Sequence, residues 1–164
     1  MRARSTDARF IVMMIPHHQG AIAMSELALT SARRPEIKAL AQRIIASQNR
    51  EIAQMRRWYR QWYGAEVPIW SLGSGYGMGM GPGMGMGWMG TSLEALKSAP
   101  DFDRAFIEQM IPHHRMGVMM ASHAEWNTQH PELRQLEAAM VRVQGQEIEQ
   151  MAQWYRQWYD SGGQ

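Results

Sequence analysis

"MIPHHQGAIAM", Met14–Met24, returns as "MIPHHRMGVMM" at Met110–Met120, an offset of 96 residues. The offset holds without gaps well beyond the motif. Phe10 pairs with Phe106, Pro35-Glu36 with Pro131-Glu132, and Leu40 with Leu136. "QNREIAQM" at Gln48–Met55 pairs with "QGQEIEQM" at Gln144–Met151, and "WYRQWY" at Trp58–Tyr63 recurs intact at Trp154–Tyr159. A unit of about 60 residues is therefore present twice in tandem.

The spacing inside one unit is helical. Phe10, Met14, His17, Ala21, Met24 and Ala28 alternate steps of four and three, and Ile11, Ile15, His18, Ile22 and Leu29 form the adjacent stripe. Together they make the wide apolar face of a core-facing helix. Asp7 is placed to cap its start. A turn follows near Ala32–Pro35, with Pro35 suited to the first position of the next helix. That helix carries Ile37, Ala41, Ile44, Gln48, Glu51, Met55 and Trp58 on one seam and stops at Gly64. The second unit repeats the plan, with Asp101 or Asp103 as cap and Pro131 opening its second helix. "TSLE" at Thr91–Glu94 reads as a capping box for a short extra helix.

Two apolar-faced hairpins bury their faces best against each other. The expected fold is all-α: a four-helix bundle of two duplicated hairpins joined by a long Gly/Met-rich connection. The expected organisation is one domain over 1–164, with hairpin one at 7–63, the connection at 64–90, a short helix and lead-in at 91–102, and hairpin two at 103–160.

Composition narrows the functional classes. The 164 residues carry a net charge of +2, spread rather than striped, which argues against nucleic acid as a partner. No run is apolar enough for a transmembrane segment, and no secretory signal is visible after the N-terminal charges. There is no cysteine, which excludes disulfides and thiolate sites, while 16 methionines and 6 histidines are present. Such a set suits an oxidising compartment outside the cytoplasm, any export signal lying outside this chain.

The polar residues on the apolar faces are the candidates for chemistry. Both histidines of each pair, His17 and His18, His113 and His114, fit on the wide face. Met14 and Met110 precede them by three and four residues, and Met24 and Met120 continue the seams one turn beyond. A turn near residue 33 sets His17 and His18 level with Gln48 and Asn49, and Glu51 level with Met14. Gln144 and Glu147 hold the same places in the second hairpin. Buried polar groups need partners, so Glu51 or Glu147 can accept from one imidazole nitrogen and leave the other for a metal. Pro16 and Pro112 each remove a helical hydrogen bond beside a histidine pair, at about 3 kcal/mol. Met116, Met119, Met120 and His123 share a face of the third helix and suggest a second or enlarged site.

Each of these features also has a structural reading. A methionine stripe at helical spacing is most often core, a lone buried histidine is most often hydrogen-bonded core, and the prolines can be inherited kinks. The aromatic ends read as bundle-end packing, with docking to a partner or membrane surface as the alternative. Two His-His pairs, each with methionine one turn before, favour metal. Thioether and neutral imidazole select soft cations, Cu(I) above all and Ag(I) by the same logic. Cu(II) or Zn(II) through the histidine pairs remains an alternative. The connection "GYGMGMGPGMGMGWMG", Gly75–Gly90, places Met78, Met80, Met84, Met86 and Met89 in a segment too glycine-rich for a helix, either a capture segment for soft ions or a decorated linker.

The same motifs resemble a known family, the ferritin-like proteins of domain-of-unknown-function family 305, whose CopM-like members are periplasmic copper-binding proteins. The resemblance covers nearly all of both hairpins and rests on the two "MIPHH" segments and the two Gln48–Met55-type segments. It implies a ferritin-like four-helix bundle, export, and Cu(I)/Ag(I) binding linked to copper tolerance. It implies Met14, His17, His18, Met24 and Met110, His113, His114, Met120 as ligands. Met116-Gly117 in place of Gly20-Ala21 makes the two sites unequal.

The expected function is sequestration or transfer of copper without catalysis, with a copper exporter or another periplasmic copper carrier as partner. A structural or partner-binding bundle is the competing reading, and an oxidoreductase cycling Cu(I)/Cu(II) a third, for which no acid/base constellation argues.

Overall fold

The computed structural model describes residues 5–68 and 92–160. The Gly75–Gly90 segment, with Met78, Met80, Met84, Met86 and Met89, lies outside the described residues. Among those described the order is α1 (Thr6–Ser31), α2 (Pro35–Tyr63), a short α3 (Leu93–Lys97), α4 (Phe102–Glu125) and α5 (Pro131–Tyr155), the last running into a π-turn at Arg156–Asp160. No strand occurs among them. The fold is an all-α bundle in which α1 packs on α2, α4 on α5, and α1 and α4 meet at the centre.

The helices begin and end for local reasons. Pro35 and Pro131 open α2 and α5, where the missing N–H loses nothing. Gly64 ends α2 in the left-handed region at φ 65°, its N–H returning to the Arg60 carbonyl. Ser92 caps α3, accepting from the Ala95 N–H, and Thr91 of the expected capping box lies outside the described residues.

The expected cap at Asp7 is corrected. Ser5 caps α1, accepting from the Ala8 N–H at 3.2 Å, and Asp101 caps α4, accepting from the Arg104 N–H at 3.1 Å. Asp7 reaches instead to the other hairpin. Its carboxylate accepts from the backbone N–H of Gln129 and of His130 and from His130 Nδ1 at 2.6 Å. Asp103 does the same in return, accepting from the N–H groups of Arg33 and Arg34 at 3.0 and 2.9 Å. Neither Arg34 nor His130 caps its own helix with a side chain. The donors at the start of α2 and α5 are thus met by a carboxylate from the opposite hairpin, where the helix dipole also favours negative charge.

The aromatic ends complete this exchange. Trp62 stacks on His130 with centroids 3.6 Å apart, and the Arg34 guanidinium lies 4.0 Å over Trp158. Positions 34 and 130, and 62 and 158, are equivalent under the 96-residue offset. In the described residues, the "WYRQWY" segments serve as packing at the two ends of the bundle.

The interior divides into two apolar clusters. One gathers Met14, Ile15, Ile52 and Met55 with Ala121, Leu133 and Met140. The other gathers Met24, Ile37, Leu40 and Ile44 with Phe106, Ile107, Met110 and Met151. Between them lies a polar layer.

A buried histidine layer as the candidate metal centre

His17, His18, His113 and His114 are all buried, none more than 1% exposed. Adjacent residues on a helix diverge by about 100°, yet both of each pair stay inside because each of α1 and α4 has neighbours on two sides. The His17 and His113 rings stack across the α1–α4 contact, 3.8 Å between centroids and 17° from parallel. His17 and His18 centroids are 6.4 Å apart.

Hydrogen bonds set which nitrogens are free. His18 Nε2 donates to Glu51 Oε2 at 2.5 Å, and His114 Nε2 donates to Glu147 Oε2 at 2.6 Å. His17 Nε2 donates to the His113 carbonyl at 2.9 Å. The Nδ1 atoms of all four rings have no partner, nor has His113 Nε2, nor Oε1 of Gln48 and Gln144. Eight buried side-chain polar atoms among the described residues lack a partner, and seven of them are these. Buried polar groups are ordinarily paired, so a concentration of unpaired imidazole nitrogens in one layer marks a place shaped for something else.

Glu51 and Glu147 thus accept from an imidazole, as the sequence reading allowed, although backbone levels alone set Glu51 opposite Met14. Side chains lean toward the N-terminus of their own helix. In an antiparallel pair the histidine leans away from the turn and the glutamate toward it, so residues offset in backbone level meet at their tips.

The layer is electrostatically prepared to stay neutral. Burial, then the neighbouring His18 imidazole, lowers His17 to about 4, against the raising effect of its bond to the His113 carbonyl. Burial, then His17, lowers His113 to about 2. At ordinary pH both rings keep a lone pair.

Gly117 lets α4 approach this layer. A Cβ there would stand 2.6 Å from Gln144 Oε1 and 2.9 Å from His17 Cε1. The first unit has Ala21 at the matching place, so the two halves of the layer are not identical.

The methionines sort differently. Met14, Met24 and Met110 are fully buried, but on opposite sides of the histidines. Met14 lies in the cluster against which Met120 packs, and Met24 in the cluster containing Met110. Each apolar cluster thus brings together methionines from both units. Met116 is half-buried, and Met119 and His123 are exposed on α4, away from the layer. No three His, Asp or Glu side chains among the described residues already converge on a common point. No helix among them is long and apolar enough to cross a membrane.

A family model described as a domain of unknown function, DUF305, matches residues 7–155. The chain belongs to the DUF305 family. CopM in its Cu(II)-bound form is a close structural match to this DUF305 chain, at 50% identity over 93% of this chain and 97% of that one, with a TM-score of 0.83. CopM in the Cu(I)-bound form matches at 47% identity over 93% and 97%, with a TM-score of 0.78. A putative secreted DUF305 protein from Streptomyces coelicolor matches at 27% identity over 93% of each chain, TM-score 0.75. No curated protein matches the chain.

Proposed function

We propose that this chain binds copper, held chiefly as Cu(I), between the two hairpins, and that it carries or sequesters the ion rather than catalysing a reaction. The observation that carries this reading is the set of unpaired Nδ1 atoms on His17, His18, His113 and His114 in one buried layer. Glu51 and Glu147 hold the Nε2 protons of His18 and His114 and so present Nδ1 outward to an ion. Gln48 and Gln144 stand one turn before them with free carbonyl oxygens. Met14, Met24, Met110 and Met120 supply soft thioethers from the apolar clusters on either side, the donor type that favours Cu(I) and Ag(I) over harder ions.

Loading requires movement, because the four rings do not yet converge. A rotation of one or two imidazoles about χ brings Nδ1 atoms together, and releases the His17–His113 stack. The relatives' copper-bound forms support the choice of metal. An extracytoplasmic setting, in which a copper exporter or another carrier would be the partner, accords with the absence of cysteine and with the secreted relative.

A second reading is that the imidazoles take Cu(II) and the thioethers stay as core. The four-nitrogen layer favours it as much as it favours Cu(I). Anaerobic Cu(I) titration against a competing chelator, repeated with Cu(II), separates the two. Substituting Leu for Met14 and Met110 weakens Cu(I) alone under the first reading and neither ion under the second. Substituting Ala for all four histidines removes buried copper under both; unchanged stoichiometry and affinity would refute the assignment.

A further inference from the structure

Four departures of the second unit from the first fall on a single stripe of α4. Met116, Met119, His123 and Trp126 stand where the first unit has Gly20, Ala23, Leu27 and Thr30. Their spacings of three, four and three keep them on one side of a helix. Trp126 holds helical backbone angles, φ −66° and ψ −26°, just past the end of α4.

The stripe faces water. Met119 is 64% exposed and Trp126 88%, and His123 is exposed too. Met120, one residue along, turns inward and packs on the cluster of Met14, so it does not belong to the stripe. A flexible thioether and an indole left in water contribute nothing to the core. Three small or aliphatic residues and a threonine serve the same positions in the first hairpin.

The chemistry of the four is shared. A thioether and an imidazole at i and i+4 form a two-point chelate for a soft ion. Met116, half-buried, stands on the same side in the preceding turn. An indole within about 6 Å of a cation adds attraction through its ring face. Side chains on a helix lean toward its N-terminus, and Trp126, which lines a surface hollow with Ser122, Glu125 and Arg134, stands one turn after His123.

We propose that Met116, Met119, His123 and Trp126 form a second, outward-facing site for a monovalent soft cation, Cu(I) or Ag(I), distinct from the buried histidine layer. The inference rests on the reading of the chain as a soft-metal binder and adds a place where an ion exchanges with solvent without opening the bundle. Met119 and His123 are the chelating pair, Met116 the third donor, and Trp126 the cover.

The test uses the full chain and Ag(I), which does not change oxidation state. Methyl-labelled methionine and indole N–H signals are followed by NMR as Ag(I) is added. The signals of Met116, Met119 and the Trp126 indole are expected to shift together. Met119→Leu/His123→Leu abolishes that joint shift, while thermal melting stays as in the parent because both positions are exposed. Trp126→Leu weakens the outer ion by about two- to fivefold, the range of an exposed cation–π contact. If the methyl signals of Met14 and Met110, which flank the histidine layer, respond and those of the α4 stripe do not, this site is refuted and the buried centre stands. If the α4 stripe responds and Met14 and Met110 do not, the outer site stands and the buried centre fails. Silence at both overturns both.

Discussion

The imidazoles of His17 and His113 lie face to face at 3.8 Å, although 96 residues separate them in the chain. They are the same residue of the two units, so their stack marks the approximate two-fold axis of the bundle. The contact is nevertheless unequal. His17 Nε2 donates to the His113 carbonyl, and His113 Nε2 donates to nothing. His113 is therefore the ring freer to turn. His113→Ala is expected to abolish or sharply weaken the buried copper, and more so than the loss of His18 or His114, each of which already has a carboxylate partner. Single-variant Cu(I) competition titrations check the order.

Glu51 and Glu147 act on the metal through the rings they hold. Glu51→Gln and Glu147→Gln keep an acceptor oxygen but lose the charge that anchors the Nε2 proton. Each is expected to lower copper affinity about 10- to 100-fold with little change in melting temperature. A large fall in melting temperature with affinity unchanged would make the pairs structural only.

Gly117→Ala sets two effects against each other. Alanine favours the helix by about 1 kcal/mol over glycine. Its Cβ collides with Gln144 and His17 inside the layer. Gln144 can swing away at its far end, but the His17 ring is held by its stack. The expected result is a protein that still folds, near parent stability, with weakened copper binding; calorimetry of the apo form and chelator competition report the two halves separately.

Asp7 accepts from two backbone N–H groups and one imidazole while fully buried. Bonds to a charged acceptor contribute about 1.5–3 kcal/mol. Asp7→Ala is expected to destabilise the bundle by about 2–3 kcal/mol, read by urea unfolding. Asp103→Ala, which leaves no imidazole unpaired, is expected to do less.

Glu137 provides the pH signature. It is fully buried against Thr128, whose hydroxyl lies 2.9 and 2.7 Å from its two oxygens. Burial pushes its carboxyl from 4.5 up to about 7; the bond from Thr128 opposes this and the negative charge of Asp7 adds to it. The folded state thus binds the proton more tightly than the unfolded chain. Its contribution to stability is full below about pH 4.5 and is lost as pH rises through 7, with a slope of at most about 1.4 kcal/mol per pH unit. Glu137→Gln is expected to remove that slope between pH 5 and 8. Parent and variant unfolding curves across that interval, compared as differences, check it free of the opposing histidines.

The helices were legible because every cue pointed one way: apolar spacing, proline at the start of α2 and α5, and glycine after α2. The histidine pairs were legible because they occur twice. What escaped was set by distance in the chain. Asp7 lies where a local cap would lie, yet its partners are more than 120 residues away, and nothing in a linear reading ranks them above the nearby N–H groups. The pairing of a glutamate with an imidazole was legible, but which histidine of each pair receives it, His18 and His114, depended on the lean of both side chains, which backbone levels omit. Thr128 and Glu137 replace Ala32 and Ala41 of the first unit, so the repeat itself drew attention away from them. Trp126 went unnoticed for the same reason: its counterpart is an ordinary threonine.

The crossed carboxylates have a mechanical consequence. Asp7 closes the turn of hairpin two, and Asp103 that of hairpin one. Pulling the hairpins apart therefore uncaps α2 and α5 in the same event that exposes both apolar clusters and the histidines. No half can loosen while its twin stays intact. The bundle is expected to come apart in one cooperative step, and release of a buried ion through separation of the hairpins would be all or nothing.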